Sequence, residues 1–310
     1  MISQTDRIKG VLFGQAIGDA LGVGTEFMTE EEVRRNYPSG LKNYDEIVRD
    51  AHRSRWERGD WTDDTDMMLC IANALIADKC VNLKSIAQNF KAWAAGSPMG
   101  IGNHTHKVLL IADYAEKPVE VSKLVWELSR HQAAANGGVM RTSVVGLLPD
   151  NVERNAADIC RLTHYDPRCV GSCVIVSEII HSLVYDSVSP SYDQIVEWGN
   201  KYDERIKEFI DLAHDEDIAA LSLNDGTSMG YTLKTLSAAL WAYWHAKTFE
   251  DGLLQVVNAS GDADTNAAVA CAVLGAKFGY IAIPSVYKNG LHRKLQLEVI
   301  VEGLLQFLNI

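Results

Sequence analysis

The sequence predicts an all-α protein, with one compact multi-helix domain spanning residues 1–310. Three observations predict it. Apolar residues recur at spacings of three and four along nearly the whole chain, the period of a helix that buries one face. Sustained alternation with β-branched enrichment is scarce, which leaves no room for a sheet of any size. The seven prolines, Pro38, Pro98, Pro118, Pro149, Pro167, Pro190 and Pro284, fall between the periodic stretches, where they end helices instead of breaking them.

Taken in order, the first helix covers residues 6–21, with Ile8, Val11, Leu12, Ala16, Ile17 and Leu21 on the helical period. Within it Gly14, Gly18 and Gly22 recur every four residues, a smooth face against which another helix can pack. The same spacing predicts helices over 67–76, 83–93, 108–114, 121–128, 139–148, 156–162 and 170–184. It continues over 206–212, 233–244, 253–257, 267–278 and 291–308. The helices from Val139 and Ala267 are rich in Ala, Gly, Val and Ser, so their backbones can approach neighbours closely and they are expected at the centre. Residues 187–228 are rich in charge, contain Trp198 and Tyr202, and carry no placeable motif. No linker, low-complexity tract or internal repeat divides the chain.

Hydrophobic residues make up 47 % and charged residues 23 %, the profile of a soluble globular protein. A net charge of −12 argues against a nucleic-acid or anionic-membrane partner. An anionic ligand would need local relief from that field, which bound cations would supply. The six cysteines form no CxxC pair and read as reduced core thiols of a cytoplasmic protein. The N-terminus lacks the basic region and apolar run of a signal peptide, and no stretch is expected to reach the roughly 18 apolar residues of a membrane span.

Chemistry concentrates in two acidic helix starts. The first is Gly59-Asp60-Trp61-Thr62-Asp63-Asp64-Thr65-Asp66, with Thr62 as a suitable N-cap. Acidic residues in a first turn are stabilised by the helix dipole, and capping alone accounts for one or two of them. Three Asp in four residues exceed that need, because neighbouring like charges repel unless a cation relieves them. The second is Ser260-Gly261-Asp262-Ala263-Asp264-Thr265-Asn266, with the same logic of carboxylates, a Thr hydroxyl and a glycine turn. Hard cations such as Mg²⁺ and Mn²⁺ take oxygen ligands, and two such loops face to face would hold a pair about 3.5–4 Å apart. The alternative is two unrelated caps.

Weaker signals surround these. Glu26 follows the Gly24 break and is either a solvated surface carboxylate or a metal ligand or general base. Residues 96–104 form a Gly-rich loop running into a helix, whose backbone N–H groups would suit phosphate oxygens. Asn136-Gly137-Gly138-Val139-Met140-Arg141 is a second such junction, its Arg free to meet an anion or an internal carboxylate. His164 serves either as a helix C-terminal partner or as a pocket residue.

In this order, the segments resemble the ADP-ribosylglycohydrolase family. The resemblance rests on Gly18-Asp19-Ala20-Leu21-Gly22 with Glu26, Trp61-Thr62-Asp63-Asp64-Thr65, Gly100-Ile101-Gly102, Asn136 to Arg141, Thr163-His164, and Gly261 to Asn266. It implies a single orthogonal multi-helix domain with two divalent ions, Mg²⁺ or Mn²⁺, held by Thr62, Asp63, Asp64, Asp262, Asp264 and Thr265. It implies Glu26 as the flexible carboxylate that gates the site, with Glu26 or Asp63 activating water. Gly100, Ile101 and Gly102 would cradle the pyrophosphate, and Asn136, Gly137 and His164 would line the ADP-ribose channel. The implied reaction is hydrolysis of the bond between ADP-ribose and a modified arginine or serine, by a monomer acting on ADP-ribosylated protein. The alternatives are hydrolysis of a free derivative such as O-acetyl-ADP-ribose, or an inactive member that binds ADP-ribose or serves a structural role.

Overall fold

Ser3 accepts the Asp6 N–H and starts the first of fifteen α-helices found among residues 2–310, the part that the computed structural model describes. They are α1 (Gln4–Gly22), α2 (Glu30–Asn36), α3 (Asp63–Asp78), α4 (Leu83–Ala95), α5 (Asn103–Leu109), α6 (Pro118–Leu128), α7 (Val152–Arg161) and α8 (Pro167–His181). There follow α9 (Tyr192–Asn200), α10 (Arg205–Asp215), α11 (Thr232–His245), α12 (Phe249–Asn258), α13 (Ala263–Phe278), α14 (Ser285–Gly290) and α15 (Lys294–Leu308). No strand occurs among the described residues, and a single isolated bridge joins Ala135 to Tyr231. Pro118 and Pro167 each occupy a first helical turn, where no N–H is missed.

The centre is an antiparallel pair, α1 against α13, both buried nearly all round. A Cβ on Gly10, Gly14, Gly18 or Gly22 would run into backbone of Gly275, Cys271, Ala267 and Asp264 in turn. The four-residue glycine spacing therefore sets this approach, as the sequence predicts. Its consequence is positional: the C-terminal end of α1 lies against the N-terminal start of α13. Helices α3, α8, α11 and α12 pack around this pair.

The structure departs from the sequence reading in four places. Residues 139–148 are central and buried but form two 3₁₀ turns, Val139–Arg141 and Ser143–Leu147, instead of an α-helix. The helix expected at 108–114 begins earlier, at Asn103, and gives way to a 3₁₀ turn, Ala112–Ala115. Helices α2, α9 and α14 lie where none was expected. Contrary to the sequence expectation, Pro167–Asp186 is long and apolar enough to cross a membrane by length and composition. It is 72 % buried, so its apolarity is that of a core helix.

Candidate active site

Asp19 sits in the last turn of α1 with no exposed surface. Its Oδ1 accepts the Thr62 N–H at 2.9 Å, and its Oδ2 accepts the Thr65 N–H at 3.0 Å and the Thr65 hydroxyl at 2.6 Å. The orphan N–H groups at the start of α3 are thus satisfied from another helix as well as by Thr62, whose hydroxyl accepts from Asp64 N. This ties the first acidic motif to the end of α1. Because that end abuts the start of α13, the second acidic motif arrives at the same point.

The carboxylates converge. One oxygen from each of Asp19, Asp64 and Asp264 lies within 4.8 Å of the others, as does one from each of Glu26, Asp262 and Asp264. Asp64 Oδ2 accepts from the hydroxyls of Thr62 at 3.1 Å and Thr265 at 3.4 Å, so one hydroxyl from each acidic motif shares this oxygen. Asp64 Oδ1 and Asp264 Oδ1 are buried and have no hydrogen-bond partner. Asp63 Oδ2 accepts the Gly102 N–H at 3.3 Å, which draws the Gly-rich loop over the cluster. Asp262 Oδ2 accepts from Asn136 Nδ2 at 2.5 Å, and Asn136 is itself held by Thr235 and through it Asn266.

Electrostatics follow from burial without countercharge. Among the described residues no Lys or Arg pairs with Asp19, Asp63, Asp64, Asp262 or Asp264. Burial pushes Asp19 up to about 7 despite the hydrogen bonds from Thr65 and Thr62. Burial, aided by the charge of Glu26, raises Asp63 to about 6. Asp262 rises to about 6 by burial, against the hydrogen bond from Asn136. Asp64 and Asp264 are driven well above the usual carboxylate range by burial and by neighbouring carboxylates.

Glu26 is 7 % exposed, so the surface alternative does not hold. Arg53, itself buried, donates through Nε to the Gly24 carbonyl at 2.8 Å and through Nη2 to the Glu26 carbonyl. The Glu26 carboxylate lies 2.6 Å from His52 Nε2, and the His52 ring packs between Phe27 and Trp56.

A cavity of about 960 Å³ opens over the cluster. Every residue to which the family resemblance gives a role lines it: Thr62, Asp63, Asp64, Asp262, Asp264 and Thr265 on the acidic floor, with Glu26, Gly100, Ile101, Gly102, Asn136, Gly137 and His164 around them. His164 is a pocket residue and not an exposed helix-end partner. Among the described residues Arg141 pairs with no carboxylate. It is fully buried, donates to Thr163 Oγ1 at 2.6 Å, and lies 4.3 Å over the Phe90 ring.

Sequence reasoning missed a role for Asp19, although it quoted the motif that contains it, and missed His52 altogether. Two acids of the first motif turn away from the cluster. Asp60 and Asp66 pair with Arg293 at 2.5 and 2.8 Å, and Asp66 also accepts from the indoles of Trp61 and Trp93.

Comparison with known proteins agrees with this geometry. A glycohydrolase from Rhodospirillum rubrum named for ADP-ribosyl-dinitrogen reductase is 28 % identical to this chain, covering 95 % of it and 93 % of the relative. An ADP-ribosylarginine hydrolase, Tri1, from Serratia proteamaculans (strain 568) is 26 % identical, covering 96 % of this chain and 79 % of its own. A solved chain described as an ADP-ribosylglycohydrolase-related protein complex superposes with a TM-score of 0.77 at 24 % identity, covering 99 % of this chain and 100 % of that one, a likeness of fold. The ADP-ribosylglycohydrolase family model matches residues 2–308, so the chain belongs to that family of hydrolytic enzymes.

Proposed function

We propose that this enzyme is a divalent-metal-dependent hydrolase that cleaves the glycosidic bond between ADP-ribose and a modified protein side chain, with arginine as the preferred acceptor. One observation carries the reading: two acidic helix starts and Glu26 meet in one cavity, and two buried Asp oxygens there have no partner. The relative named as an ADP-ribosylarginine hydrolase supports the acceptor. The same reading takes the protein as a cytoplasmic monomer, and its six free cysteines suit a reducing compartment.

The donor set fits hard cations, because all six groups present oxygen and, among the described residues, no basic side chain neutralises its four aspartates. Thr62, Asp63, Asp64, Asp262, Asp264 and Thr265 would hold two ions, Mg²⁺ or Mn²⁺. Bound there, the ions would supply Lewis-acid stabilisation and a fixed template for the ribose hydroxyls. Asp19 has both carboxylate oxygens engaged by the start of α3. It orients the start of α3 so that Thr62 and Asp64 face the cavity.

Cleavage at the anomeric carbon passes through an oxocarbenium-like transition state. Water attacks that carbon, the bond to the acceptor nitrogen breaks, and the acceptor leaves with a proton. In this reading Glu26 takes the proton from water, with Asp63 as the second candidate; both line the cavity. Backbone N–H groups of the Gly100–Gly102 loop orient the pyrophosphate, while Asn136, Gly137 and His164 hold the sugar–phosphate part.

The purified protein, incubated with Mg²⁺ or Mn²⁺ and with arginine- or serine-ADP-ribosylated peptide, should release intact ADP-ribose from the arginine peptide. Excess chelator should stop release. No release from either peptide overturns the reading, and undiminished release in chelator overturns the metal assignment.

A further inference from the structure

Beneath the cavity wall lies a short relay that ends on an unused donor. Arg141 Nη2 donates to Thr163 Oγ1 at 2.6 Å, and Thr163 Oγ1 lies 2.8 Å from His164 Nδ1. All three residues have no exposed surface. A guanidinium can only donate, so the Thr163 oxygen is an acceptor in the first contact. Its own hydrogen then needs an acceptor, and among the described residues the one within reach is His164 Nδ1. That nitrogen must carry the lone pair, which leaves the ring hydrogen on Nε2. His164 Nε2 is buried, has no hydrogen-bond partner, and belongs to a ring that lines the cavity.

We propose that Arg141 and Thr163 are positioning residues that lock His164 in its neutral Nε2–H tautomer, so that it presents one fixed donor to an oxygen of the sugar–phosphate ligand. The ligand half of this inference rests on the ADP-ribose reading above; the tautomer half does not. Burial and one neighbouring charge reinforce the arrangement. Burial holds His164 well below its ordinary pKa, and Arg141, with no carboxylate partner among the described residues, adds a positive charge that disfavours protonation. His104 cannot take the donor role, because its Nε2 lies 3.0 Å from the Thr163 carbonyl, to which it must donate. Gly137 completes the site: a Cβ there would come within 3.0 Å of His164 Nε2 and fill the space that the donor faces.

Long-range ¹H–¹⁵N correlation spectra of the full-length protein, assigned with His164→Gln, test the tautomer without any substrate. The expected result is a bare Nδ1 and a protonated Nε2, unchanged between about pH 5 and about pH 8. An Nδ1–H tautomer, or a charged ring in that range, overturns the proposal. Thr163→Val should mix the tautomers and weaken ADP-ribose binding about tenfold, raising KM with kcat retained, whereas Thr163→Ser should restore both. Unchanged tautomer and affinity in Thr163→Val would also overturn it. If Thr163→Val does not fold, the wild-type spectrum and Thr163→Ser still decide. Absence of ADP-ribose binding by the wild-type protein would count against the proposed function, whereas the wrong tautomer would count against this inference.

Discussion

Asp19 does not line the cavity, yet three donors of the α3 start depend on it. Asp19→Asn puts an amide donor where an acceptor is needed, leaving at least one buried N–H or hydroxyl unmatched. The expected cost is about 1–3 kcal/mol of stability with a loss of activity, read by thermal unfolding and by ADP-ribose release. Asp63→Asn and Asp262→Asn should behave differently. Each removes a desolvated carboxylate whose pKa is raised to about 6. Turnover should fall below detection while helical content by circular dichroism stays unchanged. Metal-free stability at neutral pH should hold or rise, since an uncompensated charge is gone. Full activity in either variant would remove these residues from the reaction. The acidic character of both motifs was visible in the sequence. The division of labour within the first was not, because only Arg293, 227 residues away from Asp66, shows that Asp60 and Asp66 serve structure.

At the scale of helices, the glycine spacing of α1 was the most informative local signal, and it is realised as backbone contact with α13. Gly18→Ala would drive a methyl into the Ala267 carbonyl. Overpacking of this kind costs about 1–3 kcal/mol or more, and here it would also separate the two acidic motifs. A lowered melting temperature together with weakened Mn²⁺ affinity is the expected result. Normal Mn²⁺ affinity would show that the helix contact does not set the site. Two of the unexpected helices had a readable start. Thr29 with Glu32 and Ser191 with Gln194 form reciprocal capping boxes at α2 and α9. Residues 139–148 were misread for a different reason. Their apolar pattern reflects burial on all sides, and burial alone does not distinguish an α-helix from 3₁₀ turns packed at the centre.

For the whole molecule, the buried carboxylates make stability depend on pH in a defined direction. Asp19 titrates near 7, Asp63 and Asp262 near 6, and Asp64 and Asp264 well above the ordinary range, all higher than in the unfolded chain at about 4. The folded state therefore binds more protons than the unfolded state across this interval. The stability these groups contribute is complete below about pH 4, and the share of Asp19, Asp63 and Asp262 is lost as pH rises through 6 to 7. In chelator, the melting temperature should fall between pH 5 and 8 more steeply than that of a variant carrying Asp262→Asn. Mg²⁺ or Mn²⁺ should reverse the fall, because a bound cation favours the ionised carboxylates. A flat profile in chelator would mean that the cluster is already compensated.

The sequence by itself determined what is local and periodic. That includes most of the helices, the Thr62 cap, the glycine face of α1, and the oxygen-rich character of the two motifs. It also carried, through the order of those motifs, the family resemblance. Only the tertiary structure decided which groups meet. Asp64 reaches Thr265 because helices far apart in the chain pack together, while Glu26 reaches His52 and Arg141 reaches Thr163 across shorter folds of the chain. A carboxylate's charge, a histidine's tautomer and a ligand's place depend on neighbours within a few ångströms, and sequence spacing does not encode those neighbours once the chain has folded back on itself.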